Sequence, residues 1–173
     1  FATGSGCFGG FKIKETSNSG WEEWTSWHPF QGPAAILVGA NSDMKTFDDV
    51  ANALKEGKIN MGVSGFGNGP HVIMQAIAEV AGIKEINYVT FDGDRNVATA
   101  VLAGEVEAGI VTFSSAIDMA QAGTIRAVVV MMKVPMKITD TITIDPIVKV
   151  LPGSEKIPDL SETWPICIRR DAP

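Results

Sequence analysis

The sequence predicts an α/β fold: a mostly parallel sheet with helices on both faces. Three observations carry that expectation. Four β-rich segments, at residues 58–63, 86–91, 107–112 and 125–131, alternate with three helical ones. Each helical segment stops at a glycine, Gly82, Gly104 or Gly123, the residue that most easily closes a helix in the left-handed region. The connections are short, and strands alternating with helices at short spacing form parallel units.

The elements follow in order. Residues 34–39 (AAILVG) are a continuous apolar run, as expected of a buried strand. Thr46 is a good N-cap and Asp49 sits three residues on, in the capping-box position. A helix is therefore expected over 47–56, with Val50 and Leu54 inward and Gly57 as its stop. The strand over 58–63 leads into a glycine loop, in which Gly62, Gly65, Gly67 and Gly69 allow tight turns and close approach of a ligand. Pro70 suits the first helical position, and Val72, Ile73, Ala76, Ile77 and Val80 are expected on one helical face. Asp92 to Arg95 is a turn, and either Ser114 or Ser115 is expected to cap the third helix. Beyond Met132 the rhythm stops. Alternating Thr and Ile at 141–144 suggest an extended segment, and five prolines from Pro146 onward make the tail a poor helix host. Residues 164–169 are expected as one more strand.

The N-terminal part reads differently. Gly4-Ser-Gly6-Cys-Phe-Gly9 is formally a dinucleotide fingerprint, but no strand precedes it and the alternating residues after it do not open a helix. It is expected to be a loop. Trp21, Trp24 and Trp27 stand three apart, which would stack them on one side of a helical turn ended by His28-Pro29.

Composition excludes several classes. With 45% hydrophobic and 20% charged residues the chain is globular rather than disordered. A net charge of −6 argues against a nucleic-acid binder. Two cysteines, Cys7 and Cys167, make neither a disulfide framework nor a zinc site; two ordinary thiols are expected, with a single Cys7–Cys167 bridge as the alternative. No apolar run approaches the ~18 residues of a membrane helix. The chain opens on Phe1 rather than Met, so the lack of a visible signal peptide says nothing about compartment.

In such sheets ligands gather at the carboxyl ends of the strands. Three segments fall there: 64–71, 92–96 and 113–115, each expected to open a helix. Helix N-termini present unpaired amides and a positive dipole, which suits a carboxylate or phosphate. No Lys follows the glycines as in a P-loop, and Ser64 lacks the setting of a nucleophile elbow. His71, Gln75 and Glu79 are spaced four apart, opposite the expected apolar face, so His71 reads as solvent-facing or as a support behind the ligand loop rather than as a base. Asp92, Asp94 and Asn96 begin like a calcium loop, but Val97 and Ala103 stand where Gly and Glu are needed. The aspartates are expected to cap the next helix, their commonest use, or instead to meet an amine or a hydroxyl on a ligand. Arg95 could pair with a carboxylate, though solvent is its commoner fate. No catalytic set, cofactor or metal is expected.

Four motifs in register carry a family resemblance: Gly62-x-Ser-Gly-x-Gly-x-x-Pro-His71, Tyr88-Val-x-Phe-x-Gly93, Leu102-Ala-Gly-Glu-Val-Glu107 and Ala122-Gly-Thr-Ile-Arg-Ala127. The chain resembles the solute-binding receptors of tripartite tricarboxylate transporters over about residues 33–131. The resemblance implies a two-lobed, periplasmic-binding-protein-like fold and a periplasmic or extracellular location, with a membrane-associated surface left open. It implies a small organic acid ligand passed to a membrane permease, with no catalysis, nucleic acid or membrane insertion. By position, Ser64, Gly65, Gly67, Asn68 and Gly69 would form a carboxylate loop, and Asp92, Gly93, Asp94 and Ser114 would line the cleft. Asp92 and Asp94 depart from the family's pattern, which has fewer acids there. The implied organisation is a partial first-lobe or linker segment at 1–33, a ligand-binding lobe at 34–131 and an extended return segment at 132–173. The rival readings are a nucleotide- or phosphate-binding α/β enzyme using the same glycine loop, and a regulatory ligand-sensing domain.

Overall fold

The computed structural model describes residues 24–157 and 161–169. The Gly4–Gly9 motif, Cys7 and Trp21 lie outside them.

The chain order is β1 (Trp24–Gly39), α1 (Phe47–Lys55), β2 (Asn60–Val63), α2 (Gly69–Ala81), β3 (Asn87–Thr90), α3 (Asp94–Ala103) and β4 (Ala108–Thr112). A 3-10 turn (Phe113–Ser115), α4 (Ile117–Gln121) and β5 (Ile125–Val130) follow. A small hairpin of β6 (Met136–Lys137) and β7 (Thr143–Ile144), a short helix α5 (Ile147–Val150), a second 3-10 turn (Ser154–Lys156) and β8 (Ser161–Arg169) complete it.

The sheet runs β3-β2-β4-β1-β5, with β8 paired to the outer part of β1. β2 is parallel to both β3 and β4. β1 lies between β4 and β5 and is antiparallel to each, so β5 points the same way as β2, β3 and β4. The four strands expected from the helix alternation are thus co-directional, and the 34–39 segment is the one reversed strand.

β1 overturns one expectation. Trp24 and Trp27 lie on a strand, not a helical turn, because residues 24–33 pair antiparallel with β8. His28-Pro29 does not end the element. The register shifts between Trp27 and Phe30 instead, and an irregularity is where a strand tolerates a residue without an N–H.

Both sheet faces are buried. Ala34, Ile36 and Val38 of β1 pack with Met61, Val63, Ile110 and Met131 beneath α1 and α2. Ala35 and Leu37 face the other way, with Val111 and Val130 beneath α3 and α4. This alternation is the period-two geometry of a strand covered twice.

The helices follow their local signals closely. Thr46 and Asp49 form a reciprocal capping box at α1, with Thr46 Oγ1 accepting from the Asp49 amide at 3.2 Å. Hydrogen bonds from the Lys45 amide, and from the Thr46 hydroxyl and amide, hold the Asp49 carboxyl below its ordinary value. Gly57, Gly82, Gly104 and Gly123 all take positive φ just past their helices. The inward face of α2 differs from expectation. Pro70, Ile73, Met74, Ile77 and Ala78 are buried, whereas Val72 is 56% and Val80 36% exposed. Helix α2 rolls so that Met74 and Ala78 reach the sheet. The tail also holds one turn of helix, α5, which begins directly after Pro146.

Candidate functional site

The three expected segments meet at the carboxyl ends of β2, β3 and β4. Parallel pairing of β2 with both neighbours puts Ser64, Asp92 and Phe113 at one edge of the sheet. Backbone bonding continues past the ladder: the Phe91 amide donates to the Val63 carbonyl at 2.9 Å.

The four glycines of the first motif have different tasks. Gly62 sits within β2 beside Gly109 of β4. A Cβ at Gly62 would come within 3.0 Å of Val97 Cγ1, and one at Gly109 within 2.7 Å. This pair lets α3 lie flat on the sheet, so Gly62 serves packing and not the ligand loop. Gly65 and Gly67 have φ of 133° and 74°, conformations that side chains resist. Gly69 is the first residue of α2, one position ahead of Pro70.

Asn68 is the N-cap of α2, its Oδ1 accepting from the His71 amide at 3.0 Å. The Gly67 amide donates to His71 Nδ1 at 3.1 Å, which requires an unprotonated Nδ1. His71 is therefore folded against its own loop and is not simply solvent-facing. Its ring meets Phe66 and Tyr88 edge to face, at 5.2 and 5.0 Å between centroids. Gln75 Nε2 donates to Tyr88 Oη at 3.2 Å. Burial pushes the Tyr88 phenol up to about 12. This aromatic flank went unread in the sequence. A signal was available: Phe66 is a large apolar residue between two loop glycines, and it is 59% exposed.

The aspartates do not cap α3. Gly93, with φ of 90°, is the N-cap and no side chain bonds there. Asp92 is exposed, and its carbonyl accepts from Asn96 Nδ2 at 2.6 Å. Asp94 turns inward. The Ser64 hydroxyl donates to Asp94 Oδ1, and the Thr112 amide donates to Oδ2 at 2.8 Å. Asn68 Nδ2 donates in turn to Ser64 Oγ at 2.7 Å. One chain of bonds, Asn68–Ser64–Asp94–Thr112, thus ties together the ends of β2 and β4 and the starts of α2 and α3.

The third segment is weaker than expected. Neither Ser114 nor Ser115 caps a helix. Phe113–Ser115 is a 3-10 turn, and α4 after it has 5 residues, with Ala116 at its N-cap. Ser115 Oγ donates to the Thr112 carbonyl at 2.7 Å, and Ser114 is exposed. Arg95 is engaged away from the mouth, on Asp118 at 2.6 Å and the Ser115 carbonyl at 3.1 Å. That contact holds Asp118 below its ordinary value.

The geometry therefore brings Ser64, Asn68 and Asp94 into direct contact, with Gly65, Gly67 and Gly69 around them. Asp92, Gly93 and Ser114 lie at the rim. The Gly65 amide donates to no other described residue, and the Asn68 amide closes a tight turn over Phe66 and Gly67. Among the described residues, no group of three or more His, Cys, Asp or Glu is placed to hold a metal ion, and no helix is long and apolar enough to cross a membrane. The arrangement can offer loop amides to an anion while presenting a carboxylate beside them.

Comparison with known proteins follows the same lines. A comparison with curated proteins finds no match. Among solved structures, a TctC solute-binding protein from Polaromonas, solved without ligand, is 20% identical with a TM-score of 0.77. The match covers 100% of this chain and 57% of that one. A protein described as a periplasmic transporter is 15% identical over 99% of this chain and 57% of that one, with a TM-score of 0.78. A protein of R. palustris solved with adipate is 18% identical over 83% of this chain and 46% of that one, with a TM-score of 0.69. The chain thus spans about half the length of these structures, and at these identities they show a shared fold. The model of the tripartite tricarboxylate transporter family receptor matches residues 29–143, a span that contains the glycine loop, both aspartates and all four motifs. The chain belongs to the tripartite tricarboxylate transporter receptor family.

Proposed function

We propose that this chain is the ligand-binding part of an extracytoplasmic receptor, which captures a small organic acid and hands it to the permease of a tripartite tricarboxylate-type transporter. One observation carries the reading. The loop between β2 and α2, inside the family match, holds a Gly65 amide that donates to no other described residue, beside the N-termini of two helices of 13 and 10 residues. Amides and dipole together favour a carboxylate there. The ligand residues proposed are Ser64, Gly65, Gly67, Asn68, Gly69, Asp92, Gly93, Asp94 and Ser114. A neighbour of the same fold was solved with adipate, a dicarboxylate, which supports an organic acid here.

Each helix terminus contributes on the order of 0.3–1 kcal/mol, up to ~2 when partly buried. Micromolar affinity needs about 8 kcal/mol, so the loop amides and contacts outside this lobe must add to the dipoles. β1 and β8 leave the sheet together as an antiparallel ribbon, which supports a connection to a second lobe. We assign residues 1–33 to that connection or a partial first lobe, 34–131 to the binding lobe and 132–173 to the return. The location proposed is periplasmic or extracellular.

A thermal-shift panel of small carboxylates against nucleotides and inorganic phosphate tests the reading. Stabilisation by carboxylates alone is expected. Stabilisation by nucleotides alone would replace this reading with that of an enzyme built on the same loop.

A further inference from the structure

We infer that Asp94 sets the class of acid this mouth accepts: a carboxylate carrying a neighbouring hydroxyl or ammonium group, in preference to a plain dicarboxylate. The inference rests on the receptor reading above and specifies its ligand.

The Ser64 hydroxyl has one proton, and it points at Asp94 Oδ1. One of its two lone pairs accepts from Asn68 Nδ2 at 2.7 Å. The Thr112 amide is given to Asp94 Oδ2 at 2.8 Å. Two donors suited to a ligand's carboxylate are therefore filled by a carboxylate of the chain itself. An ionised carboxylate accepts about four hydrogen bonds, and Asp94 receives two from the described residues. Its remaining capacity asks for donors.

No cation among the described residues meets it. Arg95, the adjacent residue, is turned to Asp118 and the Ser115 carbonyl. Among the described residues no Lys or Arg pairs with Asp94 or Asp92. A second ligand carboxylate brought to this corner would face like charge at short range, which is unfavourable where water is partly excluded. A hydroxyl or ammonium there would complete the bonding of Asp94, while the ligand's own carboxylate sits on the Gly65 amide and the N-terminus of α2 a few residues away. Asp94 thus divides the mouth into an amide half that takes the acid and a carboxylate half that takes the donor.

The test is calorimetry on the full chain with matched triplets of acids from two to eight carbons. Each triplet holds the plain acid, its hydroxy form and its amino form; succinate, malate and aspartate are one. Wild type is expected to bind a hydroxy or amino member at least tenfold tighter than its plain counterpart. Asp94→Ser frees the Ser64 proton and the Thr112 amide, and should bring the plain acid level or ahead. Asp94→Asn keeps the side-chain shape without the charge, and should lose the preference for ammonium while keeping that for hydroxyl. Unfolding curves establish that each variant folds, and either variant alone suffices. Equal binding within triplets by wild type, or an unchanged ratio in a folded variant, overturns the role of Asp94 and leaves the receptor reading standing. Failure of every acid in every form to bind overturns both.

Discussion

Replacing Gly109 by Ala should destabilise the protein through a single contact. A Cβ there would lie 2.7 Å from Val97 Cγ1 and 3.0 Å from Val101 Cγ2, both inside ordinary van der Waals distance. The β4 backbone cannot retreat, since Gly109 is paired with Gly62 on one side and Leu37 on the other. Val97 is fully buried and β-branched, so it has little rotameric freedom. The helix α3 must lift instead, by several tenths of an ångström. Overpacking of this kind costs about 1–3 kcal/mol. At about 2–4 °C per kcal/mol for a chain of this size, the melting temperature should fall by roughly 2–12 °C. Circular dichroism melts and urea titrations read the change. Gly39→Ala is the control, because its Cβ would meet only the Val101 carbonyl, at an ordinary 3.6 Å. Val97→Ala removes the nearest methyl, so the Gly109→Ala, Val97→Ala double variant should be at least about 1 kcal/mol more stable than the sum of the single effects predicts. A Gly109→Ala variant as stable as wild type, or strict additivity with Val97→Ala, would refute the close-packing argument.

Three further outcomes are expected. Thr46→Ala removes the side-chain cap of α1 and should lower stability by about 0.5–2 kcal/mol in urea titrations. The Asp49 half of that box has its folded pKa below the ordinary 3.8, so its contribution is complete above about pH 4 and disappears as pH falls through the lowered value. Wild type should accordingly lose more stability than Thr46→Ala between pH 5 and pH 2. Tyr88 is the only tyrosine in the sequence, so ultraviolet titration reads it without ambiguity. Its midpoint should lie near 12 in the folded protein, against about 10 after unfolding, and the stability tied to the neutral phenol should be intact below pH 10 and decline from there toward 12. Asn68→Ala removes both the cap of α2 and a donor to Ser64; a loss of about 1 kcal/mol or more by melting is expected, with weaker acid binding by calorimetry.

Much of this molecule was legible in local sequence because the signals are local. A capping box spans three residues, and a helix-stopping glycine acts on the turn just before it; Thr46, Asp49, Gly57, Gly82 and Gly104 all behave as read. Strand-helix alternation fixed the shared direction of β2, β3, β4 and β5, and with it the edge where the three loops gather. The motifs within residues 62–127 were sufficient for the family.

What tertiary structure decided depends on partners far along the chain. Trp24 and Trp27 are extended because β8, about 140 residues on, supplies their hydrogen bonds, and no local spacing encodes that. The reversal of β1 is likewise set by distant partners, β4 and β5, with which residues 34–39 pair antiparallel. The burial of Met74 over Val72 depends on how α2 rolls against the sheet. Asp94 has the composition of a cap, yet it bonds Ser64, 30 residues away, and the Thr112 amide, 18 residues away. Propensity states what a carboxylate can accept. Only the fold determines which donors come within its reach.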